Sequence, residues 1–274
     1  MDSKHSYVPG VAILICFIAI STAGLSFGTP TAKSLKNKKG FTWISKSSAN
    51  FNYYFESGTP ADRDFDKICA WMEKSRANVE RLLGGSFGGK TESFIVDSRA
   101  RMKQLVGEEG NGFAFGSKNS DTSKLEFVTA MVYGDAIKGI GAHETCHSLA
   151  HLLWGKPHGL WMDEGLAVYS DDQWYGHPLH AVAKVLVDKG KLLPVADLLN
   201  DNWIKKYPDM VTYPELGSFV KFLYEKYGLD AVKNLWQHGA KNADSAFGKN
   251  IVALETEWRA ELAKVDASSI QYNY

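Results

Sequence analysis

The sequence predicts an α+β fold, with a small sheet in the N-terminal part and a helical C-terminal half. Three observations carry that expectation. Strand-like runs at 51–55, 94–96 and 124–133 all lie ahead of residue 135. Apolar residues beyond Trp161 recur at helical spacing almost to the end. Between these parts, 135–154 holds no proline and sets Ala142, Cys146, Leu149 and Leu153 on one helical face, with Gly155 and Pro157 to stop it. The 274 residues, 45% of them hydrophobic, suffice to bury one sizeable core. Lys plus Arg and Asp plus Glu both number 31, so the chain has no basic excess with which to hold nucleic acid.

The chain opens with Lys4 and then an eleven-residue apolar run, 10–20, followed by Ser21, Thr22 and Ala23. Small residues there suit signal-peptidase cleavage, so 1–23 reads as a signal peptide and the protein as exported, either secreted or held in the periplasm or cell envelope. The alternative is an uncleaved membrane anchor to about residue 28, because a run of that extent nears the length of a span. Residues 24–48, with Lys33, Lys36, Lys38 and Lys39, read as a basic linker. A single domain is expected over 49–265, with an α+β part at 49–135, a helical part at 136–265 and a tail at 266–274.

Within that domain the strand 51–55 leads to Thr59, an N-cap ahead of Pro60 and Asp62, and so to a helix that ends at Gly84 and Gly85. Phe65, Ile68, Met72, Val79 and Leu83 form its apolar stripe. A second strand follows at 94–96. The glycine-rich stretch 107–124 reads as a long loop, a lid or an ordinary surface loop, and 124–133 as the strand ahead of the central helix. Beyond the leader the cysteines are Cys69 and Cys146, both on apolar faces, where free thiols or a pair are the alternatives.

The central helix carries chemistry. In His143-Glu144-Thr145-Cys146-His147 two imidazoles stand one turn apart on one face, where both reach the same metal ion. Glu144, the next residue round, suits contact with a metal-bound water better than ligation, which is the place of a general base. Seventeen residues past His147, Glu164 stands in the first turn of the next helix, after a Gly- and Pro-containing turn that brings this helix back over the first. Glu164 is the natural third ligand, so one zinc ion per chain is expected on His143, His147 and Glu164. His151 continues the stripe but lies about 5 to 6 Å further along the axis. Its expected part is a contact behind the ligands or to substrate. Ala150 and Leu153 stand where HExxHxxGxxH requires Gly and His, which disfavours the metzincin arrangement.

HETCH, the segment WMDEGLA at 161–167, KLLPVADLL at 191–199 and YPELGSFVKFLYEKYG at 213–228 resemble the gluzincin metallopeptidases, most closely the small peptidase-MA-like family. LETEWRAEL at 254–262 is similar to that family's closing helix, so the resemblance spans roughly 51–262. It implies a zincin-like, thermolysin-type catalytic domain that hydrolyses peptide bonds in a peptide or protein substrate, with Glu144 as base. It implies that 124–133 borders the cleft and pairs with an extended peptide. It also implies Tyr213 as the phenol that steadies the oxyanion, a donor that amide hydrolysis calls for because charge builds on the carbonyl oxygen. The plainer reading of Tyr213 is a core aromatic at a helix start, ahead of Pro214; Tyr169 and Tyr175 are the fallbacks.

The chain departs from these relatives in places. Val168 stands where the thermolysin pattern has an Asp, so the groups behind the ligands come from elsewhere, with Asp163, Asp171 and Asp172 as candidates. The Gly-Ala-Met-Glu-Asn strand of the large aminopeptidases is absent, so aminopeptidase activity is not implied. The alternative function is a non-catalytic zinc-binding envelope module that holds a peptide or polymer in the cleft. Glu144 argues against it, since a structural site needs ligands but no base.

Overall fold

A computed structural model describes residues 30–118, 125–139 and 141–274. The expected leader, 1–23 or to about 28, lies outside the described residues. Among the described residues no helix is long and apolar enough to cross a membrane.

The chain is α+β. After α1 (Ala32–Lys36) come β1 (Trp43–Ser47), β2 (Phe51–Glu56), the short α2 (Pro60–Arg63) and the long α3 (Phe65–Leu83). β3 (Thr91–Val96), α4 (Arg99–Val106), β4 (Gly112–Lys118) and β5 (Leu125–Val132) complete the N-terminal part. The five strands form one sheet in the order β1-β2-β3-β5-β4, with β2, β3 and β5 parallel and β1 and β4 antiparallel at its edges. Parallel neighbours need a crossover, which explains the helices between them. Side chains alternate across the sheet. One face presents Phe51, Tyr53, Phe55 and Met131 to Ile68 and Met72 of α3, and the other presents Phe94, Val96, Phe113 and Val128 to Met102 and Leu105 of α4.

The stretch expected as a basic linker, 24–48, contributes α1 and β1 to this domain. Its lysines are only the solvent side of the segment: Ala32 and Leu35 are buried, and Trp43 stacks on Phe41 with centroids 4.9 Å apart. Thr31 and Ser34 close a capping box at the start of α1. The stretch expected as a loop, 107–124, contains β4, whose glycines obscured the alternation of Phe113 and Phe115, both buried. β4 is therefore the sheet edge beside the central helix, and β5, the strand expected to border the cleft, is interior. The helix expected from Thr59 to Leu83 breaks at Asp64. The tail is anchored, with Tyr272 buried and its hydroxyl donating to the Met210 carbonyl.

The helical half follows in the order α5 (His143–Trp154), α6 (Leu160–Asp171), a hairpin of β6 (Gln173–Trp174) and β7 (His177–Pro178), α7 (Leu179–Asp188), α8 (Val195–Leu198) and α9 (Trp203–Lys206). α10 (Asp209–His238), broken at Gly228 with φ 83°, precedes α11 (Ala243–Phe247) and α12 (Ile251–Leu262). α5 packs against α3, α6 and β4. Gly112, Ala114 and Gly116 take the face of β4 opposite Phe113 and Phe115, so little side-chain volume separates α5 from that strand. α6 lies on α10 at two glycines. A Cβ on Gly165 would stand 3.0 Å from the Leu216 carbonyl oxygen, and Val168 fills the space a side chain at Gly217 would need. That close approach fixes the helix that carries Glu164.

Candidate metal centre

α5 begins at His143, later than the 135 expected from the apolar pattern. Two glycines cause the delay: a Cβ on Gly139 would stand 2.7 Å from the Asn111 carbonyl oxygen, and Gly141 has φ +153°. No side chain of its own caps α5. Instead Asp171, the last residue of α6, accepts from the Ala142 N–H at 2.7 Å. Burial pushes the Asp171 carboxyl up, against the N–H groups of Ala142 and His143 that favour its charge. A carboxylate at that end complements the helix dipole.

The three expected ligands converge. His143 Nε2 and His147 Nε2 are 3.1 Å apart, and they stand 3.4 Å and 3.6 Å from Glu164 Oε2. Ligand atoms about 2.0 to 2.1 Å from a tetrahedral zinc ion are separated by about 3.3 to 3.4 Å, so the spacing is that of three corners of such a site. Glu164 is wholly buried, and neither of its oxygens has a hydrogen-bond partner. Even if His143 donated its Nε2 proton to His147, both carboxylate oxygens would stay unsatisfied, a costly state that a cation relieves. Burial pushes the Glu164 carboxyl up, but the imidazoles of His147 and His143 outweigh it and hold it below the ordinary glutamate range. The donor set, two imidazole nitrogens and one carboxylate, suits zinc with an open fourth position. Among the described residues this is the one cluster of His, Cys, Asp or Glu close enough to share an ion.

Of the three acidic residues that were candidates for a place behind the ligands, Asp163 holds one. Its Oδ1 lies 2.7 Å from His147 Nδ1, and its Oδ2 lies 2.8 Å from His151 Nε2. Burial opposes its charge, yet His147 and His151 hold its pKa far below the usual range. Asp171 serves instead as the cap of α5, and Asp172 faces outward to Lys221 at 2.5 Å. Val168 is committed to packing against Gly217, which is why no carboxylate belongs there.

Glu144 is 4% exposed and lies between α5 and the sheet edge. A Cβ on Gly112 would collide with its carboxylate, so the glycine is what lets the acid lie against the backbone of β4. The sequence does not announce this pairing of Gly112 with Glu144; the alternation of Phe113 and Phe115 is the signal of the strand that makes it. Tyr213 is wholly buried in the helical core, its ring stacked on Trp174 at 5.6 Å and edge-on to Trp203 at 5.6 Å. Those surroundings are those of a packing aromatic. Tyr169 leans on Tyr224, and Tyr175 is half exposed at the turn of the β6–β7 hairpin with φ 50°. Cys69 and Cys146 are free thiols, and burial pushes the Cys146 thiol up to about 12.

Comparison with protein-family models and with curated proteins gives no match.

Proposed function

We propose that this chain is a zinc-dependent metallopeptidase of the gluzincin type, with a zincin-like domain, one zinc ion per chain and a peptide or protein as substrate. The observation that carries this is the convergence of His143 Nε2, His147 Nε2 and a fully buried, unsatisfied Glu164 at 3.1 to 3.6 Å from one another. Zinc bound there would acidify a water and polarise a carbonyl. Glu144, one residue on from the first ligand, would take a proton from that water and pass it to the leaving nitrogen. Its near-complete burial against the β4 backbone fixes where the carboxylate stands relative to the first ligand. β4 supports the substrate class: it ends the sheet on the α5 side and lies beside the base, where an extended peptide would run. The leader read from 1–23 would deliver the enzyme to the cell envelope or beyond.

The test is zinc content and cleavage of a mixed-peptide pool by the full chain and by Glu144→Gln. One zinc per chain in both is expected, with cleavage lower by about 100-fold or more in the variant. Zinc in both with equal cleavage would remove Glu144 from the mechanism. Zinc in both with no cleavage by either would turn the site into a binding module, and a chain that takes up no zinc would end the proposal.

A further inference from the structure

We infer that Asp163 and His151 are positioning residues that together aim His147 at the metal, a role that rests on the metal site proposed above and is read out by metal affinity. Asp163 is 5% exposed and offers one oxygen to each ring, at 2.7 Å to His147 Nδ1 and 2.8 Å to His151 Nε2. A carboxylate only accepts, so both rings donate. His147 is thereby held in the tautomer whose Nε2 lone pair faces His143 and Glu164. A carboxylate tethered through one oxygen turns about its Cβ–Cγ bond, and the second tether from His151 stops it.

His151 is braced in turn. Its ring meets Trp236 edge-on at 5.5 Å. The Trp236 indole N–H donates to the Gly155 carbonyl at 2.9 Å, and Gln237 donates to the Trp154 carbonyl at 3.0 Å, so the end of α10 is tied to the end of α5. A continuous line runs from Trp236 through His151 and Asp163 to His147. It explains why a third histidine stands on the ligand stripe one turn beyond His147: it holds the ligand's partner. The competing account makes Asp163 an acid at the favourable end of α6 and His151 a filler of the core. On that account their loss lowers stability and leaves metal affinity intact.

The experiment measures zinc affinity by competition with a chromophoric chelator, and the cobalt(II) absorption spectrum, on the full chain, Asp163→Asn, His151→Leu and His151→Gln, each verified as folded by circular dichroism. Asp163→Asn preserves shape and removes charge, and about 10- to 100-fold weaker zinc binding is expected. His151→Leu removes the second tether, with a loss in the same range and altered cobalt bands. His151→Gln keeps an N–H donor for Asp163 and is expected within about threefold of the parent. Parent-like affinity and spectrum in Asp163→Asn or His151→Leu would overturn the inference. So would equal losses in the Leu and Gln variants, which would leave His151 as packing only. A parent chain that binds neither zinc nor cobalt is a different failure, since it removes the metal site itself.

Discussion

Single residues around the proposed site owe their roles to what their neighbours leave unsatisfied. Glu164 is informative because both its oxygens are buried without a partner, and Glu144 because the strand beside it carries glycine at residue 112. Tyr213 separates two accounts. A phenol that bonds the oxyanion in the transition state is worth about 100-fold or more in kcat, so its loss would be unmistakable. With its ring enclosed by Trp174 and Trp203, Tyr213→Phe is expected to change kcat less than threefold, about the effect of one hydroxyl that donates to no substrate. Steady-state kinetics on any peptide the parent cleaves decides it, and a fall of about 100-fold would place the tyrosine in the mechanism.

At the scale of elements, the site is the seam between α5 and α6. The seam is held at one end by Asp171 on the Ala142 N–H and along its length by Asp163 on His147. α6 is itself pressed onto α10 through Gly165 and Gly217. Asp171→Ala strips α5 of its cap at the turn that bears His143. The expected loss is about 1 kcal/mol of stability, within the 0.5 to 2 typical of helix caps. Urea unfolding of the metal-free chain measures it, and an unchanged midpoint would show that the 2.7 Å bond contributes nothing. Much of the element plan was legible in the chain: Thr59 and Pro60 announce α2, the apolar stripe to Leu83 announces α3, and Trp161 to Tyr169 lies inside α6. β4 and β1 were not. Glycine has no side chain to show alternation, and the lysines around α1 mark only the solvent side of a buried segment.

Across the whole molecule, the pH dependence of stability has a source on α10, outside the proposed ligand set. Glu215 on α10 is wholly buried, with Oε2 accepting from the Leu193 N–H at 3.0 Å and Oε1 without a partner. Burial pushes it well above the ordinary glutamate range, with Glu255 and Asp197 adding to the rise against the Leu193 bond and Arg259. The folded chain therefore keeps this proton at a pH where the unfolded chain has shed it. Stability falls as pH rises above the unfolded value near 4.5, until the folded group ionises too. Glu215→Gln cannot ionise, so its melting temperature relative to the parent is expected to climb between about pH 5 and pH 8. Paired thermal melts across that range test it; a constant difference would mean that Glu215 ionises alike in both states.

The chain read as a string already contained the α+β division and the spacing of His143, Glu144 and His147, because helical pitch makes residues four apart share a face whatever surrounds them. Glu164 was also within reach, since a short turn between two helices brings the second back over the first. The partners of these groups were not readable. Asp163 rather than a residue at 168 stands behind His147, Asp171 caps a helix 29 positions away, and Gly112 on an edge strand admits Glu144. Each depends on where α6, α10 and β4 come to rest, and that is set by packing between distant segments, for which local periodicity carries no signal.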